Sequence, residues 1–279
     1  MLAISTNTVA DYYNKNQILY NLLWSGKALH YGFWDNNTKT HSQSLENTDA
    51  FISSCLNLSS ADRVLDAGCG VGGTAFYIAK KTGAKVVGIS ISEVQVKQAL
   101  RALKRNKDVS HLLAFEKKDF THTGYENNSF DKIYAITSSC QANSKYAFVS
   151  EMYRLLKPGG KLLVSDAFLS ELKTEKDKKM LNSFFRGWAI PNLASRKEFD
   201  NILTNIGFKK IQCEEQTEKI KKSCNVSWKL GVVFYPFSWI GSLLGIIPKN
   251  MHPHCVACIL QKHLFDNGVI KYYSFVAEK

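Results

Sequence analysis

The chain has 279 residues and a mass of 31.4 kDa, enough to bury a sizeable core in one large domain or two small ones. Hydrophobic residues make up 45% and charged residues 22%, which excludes whole-chain disorder, a collagen-like chain and a small disulfide scaffold. The net charge of +12 favours anionic partners (nucleic acid, acidic headgroups, a charged substrate) unless it is only a lysine-rich background.

The N-terminal segment, Met1 to Tyr13, has no basic stretch followed by an apolar run, so no secretory signal is expected. Asp62 to Asp66 is a short apolar run leading into glycine and reads as a buried strand. A helix follows over Thr74 to Lys81, with Ala75, Ile78 and Ala79 on one face. Lys85 to Ile91 reads as a second strand, and Glu93 to Asn106 as a helix with Val94, Leu100 and Leu103 at helical spacing. Leu112 to Lys117 and Phe130 to Thr137 read as the third and fourth strands. Lys145 to Leu156 is a predicted helix stopped by Lys157-Pro158-Gly159-Gly160, and Lys161 to Phe168 is the fifth strand. Such alternation predicts a parallel sheet covered on both faces. Beyond Leu169 the pattern loosens. Lys173 to Lys179 reads as a solvated helix face, Ser195 to Ile206 as a helix ended by Gly207, and Phe208 to Thr217 as a sixth strand. Lys219 to Gln261 reads as a long helical or irregular insertion, and Val269 to Ala277 as the last strand. No internal repeat and no low-complexity linker divides the chain.

Within that insertion, Leu230 to Ile247 carries no charge over eighteen residues, between Lys229 and Lys249. That is the lower limit for spanning a bilayer. Pro236 and three glycines within it argue against a straight transmembrane helix, so a buried or interfacial segment is expected. The seven cysteines, from Cys55 to Cys258, form no regular framework and read as reduced thiols of a cytoplasmic protein.

Gly68-Cys69-Gly70-Val71-Gly72-Gly73 follows the first strand and opens a helix. Glycines there let the backbone turn sharply and approach a ligand. The run also satisfies the weak dinucleotide pattern G-x-G-x-x-G, but two neighbours speak against a dinucleotide. Asp66 stands two residues before the first glycine, where its carboxylate can meet an ammonium group. Ser90 stands where a dinucleotide fold calls for an acidic ribose partner.

Four segments in order, VLDAGCGVGG (Val64 to Gly73), KKDF (Lys117 to Phe120), SFDKIYAI (Ser129 to Ile136) and LLKPGGKLLVSD (Leu155 to Asp166), resemble the motifs of class I S-adenosylmethionine-dependent methyltransferases. LHYGFWD (Leu29 to Asp35), GISISEVQ (Gly88 to Gln95) and GWAIP (Gly187 to Pro191) resemble the small-molecule branch, above all tocopherol C-methyltransferases and plant alkaloid N-methyltransferases. Sterol methyltransferases and cyclopropane fatty acid synthases are similar more distantly. The resemblance implies an α/β, Rossmann-like fold: a seven-stranded, mostly parallel sheet with helices on both faces and a helical lid. One domain, 1–279, is expected, with an N-terminal helical cap at 1–60 and a cofactor core at 61–169. Lid insertions would fall at 170–207 and 217–265, and the last two strands at 208–216 and 269–279.

The resemblance also implies S-adenosylmethionine as cofactor and assigns its contacts. Asp66, Gly68 and Gly70 match the loop around the methionine moiety. Ser90, Ile91 and Gln95 match the ribose site, and Asp119 and Phe120 the adenine site. Ile136 matches the residue whose backbone faces the methionine, and Tyr13 an N-terminal tyrosine that closes over the cofactor. Methyl transfer rests mainly on positioning and water exclusion. It needs a base only where the acceptor must lose a proton. Tocopherol and sterol methyltransferases and the cyclopropane synthases carry acidic residues just after the fourth strand, commonly with a histidine, whereas this chain reads Thr137-Ser138-Ser139-Cys140-Gln141-Ala142. A nucleophilic acceptor therefore fits better than carbocation chemistry. His30 is the leading candidate base, with Tyr31 and the pair His252 and His254 behind it. Tyr31, Gln141, Trp188 and Phe234 are candidate acceptor contacts, among lid aromatics suited to a lipophilic or aromatic small molecule. His252, His254, Cys255 and Cys258 offer no second ligand pair, so no metal is expected. Two other readings stay open. A nucleic-acid methyltransferase is supported by charge alone, since amino-methylating families carry an (Asn/Asp/Ser)-Pro-Pro-(Tyr/Phe) motif where this chain has Thr-Ser-Ser-Cys. A non-catalytic scaffold that kept the fold is the other. The uncharged stretch and the basic charge together suggest peripheral contact of the lid with an anionic membrane; the sequence leaves the oligomeric state unknown.

Overall fold

The computed structural model describes residues 5–24, 28–248 and 250–279. Lys249, which flanks the apolar stretch, and the first four residues of the N-terminal segment lie outside these. Two helices lead the chain, α1 (Thr6–Leu23) and α2 (His41–Leu56), capped by the hydroxyls of Ser5 and Thr40. Then strands and helices alternate: β1 (Arg63–Ala67), α3 (Gly73–Thr82), β2 (Lys85–Ser90), α4 (Glu93–Arg105), β3 (Leu113–Lys117), β4 (Phe130–Ile136), α5 (Lys145–Leu155) and β5 (Leu156–Leu169). The rest comprises α6 (Glu175–Trp188), α7 (Arg196–Ile206), β6 (Lys209–Glu215), α8 (Thr217–Leu243), α9 (Met251–Asp266) and β7 (Ile270–Glu278).

The seven strands form one sheet in the order β3-β2-β1-β4-β5-β7-β6, parallel except for β7, which runs antiparallel to both neighbours. The central strands are buried on both faces, which is why β1 and β4 read as near-continuous apolar runs. One face packs Ile52 and Leu56 of α2, Ala75 and Ile78 of α3, and Val96 and Ala99 of α4. The other packs Phe148 and Met152 of α5 with Phe199 and Leu203 of α7. The strand order reverses between β1 and β4. Open α/β sheets bind ligands at the carboxyl ends of the strands at such a point.

Several expectations are corrected. Residues 157–160 do not separate helix from strand, because β5 starts at Leu156 and runs through them. The Gly159 N–H donates to the Lys279 carbonyl and the Lys279 N–H to the Gly160 carbonyl, both at 2.9 Å, so the turn pairs with the chain end. On α4, Val94 and Leu100 are exposed and the buried side is Gln95, Val96 and Ala99. The sixth strand is shorter than expected, since Thr217 already opens α8. The 219–261 stretch resolves into the helical pair α8 and α9, with Pro236 inside α8 on an exposed face. The expected lid segment 170–207 divides: α7 lies on the sheet, and α6 joins α8 and α9 in a separate cluster around Phe184, Ile220, Ala257 and Leu264. No described helix is long and apolar enough to cross a membrane, and the seven cysteines are free.

Two of the lid helices, α6 and α9, pack closely at one glycine. A Cβ on Gly187 would lie 2.2 Å from the Pro253 carbonyl oxygen and 2.6 Å from the Ala257 Cβ. Gly187→Ala is therefore expected to push α6 off α9 and to cost about 1–3 kcal/mol. Urea unfolding checks this, and an unchanged midpoint contradicts it.

Candidate functional site

A cavity of about 210 Å³ opens at the carboxyl ends of β1, β2 and β4, under α1 and the end of α6. The glycine loop forms its floor. The Gly68 and Cys69 N–H groups donate to the Ile89 carbonyl (3.0 and 2.8 Å), which pins the loop to β2. Gly68 has φ +97°, and a Cβ there would lie 2.5 Å from Ser138 Cβ; only glycine lets the two loops approach. The N-terminus of α3 follows directly, and its free N–H groups and dipole favour negative charge.

Asp66 ends β1 beside this loop. It is 3% exposed, and its Oδ2 has no hydrogen-bond partner among the described residues. Burial, reinforced by the Asp49 carboxylate, pushes its carboxyl up to about 7, against the pull of the Tyr134 hydroxyl and of His30. Asp49, from α2, accepts from the Thr74 hydroxyl (2.7 Å) and lies 3.3 Å from His30 Nε2. His30 Nδ1 lies 2.9 Å from the Tyr31 carbonyl oxygen, which can only accept, so this nitrogen carries a proton. Burial lowers the His30 pKa, but Asp49 and the carbonyl outweigh it and the net shift is upward. Nδ1–H is thus committed to the Tyr31 carbonyl, while Nε2 faces the Asp49 carboxylate.

At the end of β2, Ser90 Oγ donates to Gln95 Oε1 (2.8 Å), and Gln95 Nε2 donates to Gln17 Oε1 of α1 (3.0 Å). Both ends of the Gln95 amide are thus held within the protein. Past β3, Asp119 Oδ1 accepts from the N–H and hydroxyl of Thr121 (2.8 and 2.7 Å), with no bond to Oδ2 among the described residues. Phe120 packs edge-on against Phe148, ring centroids 5.1 Å apart.

The loop after β4 is held from behind. Thr137 sits at φ +49°, a strained position for a β-branched residue. Its N–H donates to the Ser165 carbonyl (2.8 Å), and its hydroxyl lies 2.9 Å from Tyr272 Oη. Asp166, fully buried, accepts from the Ser139 hydroxyl (2.7 Å) and from the N–H groups of Cys140 (2.9 Å) and Ala167 (2.7 Å). Lys145 Nζ donates to the carbonyls of Cys140, Ala142 and Asn192 at 3.0, 2.7 and 3.1 Å. Burial brings its ammonium down to about 8. Gln141 then projects into the cavity. Its Nε2 donates to Tyr13 Oη (3.3 Å) and to the Trp188 carbonyl (3.1 Å), while its buried Oε1 has no partner among the described residues.

The structure brings Tyr13, His30, Asp66, Gly68, Gly70, Ser90, Ile91, Gln95, Asp119, Phe120, Ile136, Gln141 and Trp188 onto the wall of this one cavity. Tyr31 and Phe234 are not on it. They line a second cavity, of about 50 Å³, between α1, α8 and α9, which shares Tyr20, Leu29 and Trp188 with the first. The Tyr31 hydroxyl is committed to Gln261 Oε1 (2.6 Å). His254 lines the second cavity, 2.7 Å from Tyr12 Oη, while His252 bonds Ser238 within the helical pair. Among the described residues no three His, Cys, Asp or Glu side chains converge on a metal-sized site. Sequence reasoning missed Gln17, Asp49, Lys145 and Asp166. Only Asp166 left a signal, a carboxylate inside an apolar strand run.

Residues 65–164 match the family model described as a methyltransferase domain. The chain is 32% identical over 211 residues to a sterol 24-C-methyltransferase of Pneumocystis carinii (strain B80), covering 75% of this chain and 55% of that protein. It spans little more than half the length of the sterol methyltransferases it matches. It is 25% identical to the chloroplastic tocopherol O-methyltransferase of Arabidopsis thaliana, over 97% of this chain and 81% of that one. In fold it is similar to the cyclopropane synthase MmaA2 of Mycobacterium tuberculosis, with TM-score 0.84 and 15% identity over 100% of this chain and 99% of that one.

Proposed function

Because the chain carries a class I S-adenosylmethionine-dependent methyltransferase domain, we propose that it transfers a methyl group from that cofactor to a small lipophilic or aromatic acceptor. The observation that carries this reading is one cavity walled by two buried, unpartnered oxygens, Asp66 Oδ2 and Gln141 Oε1. The residues fit the cofactor. An orphaned carboxylate oxygen beside a glycine loop suits an ammonium group, and the Asp119 carboxylate suits an exocyclic amine. When bound, S-adenosylmethionine supplies an electrophilic methyl group on a cationic sulfur.

The chain's own contribution is to bind, orient and exclude water. Asp66 and Asp119 hold the two ends of the cofactor. Tyr13 and Trp188 close the cavity, which removes competing water. Gln141 Oε1 accepts a hydrogen bond from an acceptor hydroxyl or amine, and so sets the direction of its lone pair. His30, on the cavity wall and held by Asp49 and the Tyr31 carbonyl, is the candidate base for an acceptor that must lose a proton. Residues 137–142 carry no carboxylate, and Asp166 behind them is fully hydrogen-bonded, which favours a nucleophilic acceptor over a carbocation. A lipophilic acceptor resides in or on a membrane, so the reading includes peripheral contact with an anionic bilayer.

Calorimetric titration with S-adenosylmethionine, followed by methyl-transfer assays on phenols, quinols and amines with a labelled methyl group, tests the proposal. Saturable binding with label in an acceptor is expected. Binding without transfer to any acceptor class favours the scaffold reading, and no binding overturns both.

A further inference from the structure

The distal half of α8 inverts the usual pattern of a surface helix. The side chains it buries are the small ones, Gly231, Ser238 and Gly241. A Cβ on Gly231 would meet the Cys255 carbonyl and Cys258 at 3.0 Å, so this small face lies against α9. The large apolar residues point outward: Val232, Val233, Tyr235, Phe237, Trp239, Ile240, Leu243, Leu244 and Ile246 are all exposed, with Phe237 at 69% and Ile246 at 73%. Elsewhere among the described residues only Val94, Leu100, Tyr146 and Leu172 are large, apolar and exposed. A soluble surface does not concentrate apolar area in this way without a partner.

Charge says which partner. From Lys219 to Phe265 the sequence contains no Asp or Glu, and it contains six lysines. Lys219, Lys221 and Lys262 are paired with Glu214, Glu218 and Asp266. The lysines that flank the apolar stretch in sequence, Lys229 and Lys249, have no carboxylate between them, and an apolar tip flanked in this way complements an anionic phospholipid surface. The apolar run Leu230–Leu243 is about 20 Å long as a helix, short of a hydrocarbon core of about 30 Å, so it lies in the interface and does not cross it.

We infer that the distal half of α8 is a membrane-docking element that passes a lipid-resident acceptor into the second cavity. The inference rests on the reading above and names where its acceptor comes from. The same half-helix supplies both the exposed tip and the cavity wall at Leu230, Gly231 and Phe234. That cavity shares Trp188 with the first, which holds Gln141 and Asp66. The two cavities are separated by a wall that includes Tyr20, Leu29 and Trp188, and a shift of these side chains would let an apolar tail rest between α8 and α9 while the polar head reaches Gln141.

The test is flotation with vesicles of phosphatidylcholine containing about one-third phosphatidylserine, compared with phosphatidylcholine alone. The wild type is expected to float with the acidic vesicles at low salt and to dissociate as salt rises. Phe237→Ser with Trp239→Ser changes two residues outside both cavities and is expected to lower the bound fraction about tenfold or more. Cofactor titration by calorimetry accompanies each sample, so that a failure to dock is told apart from a failure to bind cofactor. No flotation of the wild type, or equal flotation of the double variant, overturns the inference. So does sedimentation showing a wild-type dimer that the double variant turns into a monomer, because a second copy then covers the face.

Discussion

Asp66→Asn is expected to weaken S-adenosylmethionine binding by about a hundredfold, while making the free protein harder to unfold at about pH 8. Both effects come from one buried carboxylate. Burial raises its pKa from 3.8 to about 7. Between those values the folded protein binds a proton that the unfolded chain has released, so this group's contribution to stability falls as pH rises through the window. At pH 8 the charge is present, buried and short of a partner, and the isosteric amide removes a cost of up to about 4 kcal/mol. A cofactor ammonium supplies the missing partner and favours the carboxylate. Wild-type affinity should therefore fall as pH drops below about 7, and binding near neutral pH should release a proton. Calorimetry in two buffers of different ionisation enthalpy reads the proton, and urea unfolding reads the stability. A variant that binds like the wild type places the ammonium elsewhere.

Lys145→Met is expected to cost about 2–4 kcal/mol and to raise the acceptor KM several-fold. The ammonium joins three carbonyls, two in the loop after β4 and one at Asn192, and a thioether replaces none of these bonds. The acceptor effect follows because Gln141 lies between the two loop carbonyls, so the loop that aims its Oε1 loses its tie to the lid. The pH profile distinguishes this role from plain packing. The folded pKa is about 8, against 10.5 for a lysine free in water. Across that interval the unfolded chain carries a proton that the folded one lacks, so the wild type gains stability from this group as pH rises. The variant has no such gain, and the difference between the two should widen from about pH 8 to about pH 10.5. A constant difference assigns Lys145 to packing alone.

The parts of the fold legible in the sequence are those set by local rules. The glycine loop, Asp66 and the alternation of the core depend on backbone geometry and burial within a few residues. The misread parts depend on what a segment meets at a distance. Gln95 turns inward on α4, displacing Val94 and Leu100 to the surface, because Ser90 and Gln17 wait for its amide. Lys157 to Gly160 looked like a stop, yet the chain end at Lys279 extends the strand through it. The Asp49 carboxylate beside His30 is not legible, because nothing near His30 in sequence announces it. Nothing in the sequence marks Lys145, since the Asn192 carbonyl it ties to the loop after β4 comes from a segment that meets it only in the folded protein. The exposed apolar tip of α8 was visible as composition but not as a face, because helical phase alone does not say which side α9 takes.

The bonds that α1 makes to its surroundings have one chemical property in common. Tyr12 meets His254, Tyr13 meets Gln141, Asn14 meets Ser92 and Gln17 meets Gln95. All are neutral pairs, and His254, pushed down to about 4 by burial, stays neutral at physiological pH. The helix that walls the cavity is thus a clasp without ionic fastenings. Salt at about 0.1 M and above screens charges and leaves these neutral bonds as they are, whereas the proposed attachment of the α8 tip to an acidic bilayer would loosen. On the proposed docking, ionic strength would therefore act as a dial on capture of the acceptor and not on the bonds that hold α1 over the cavity.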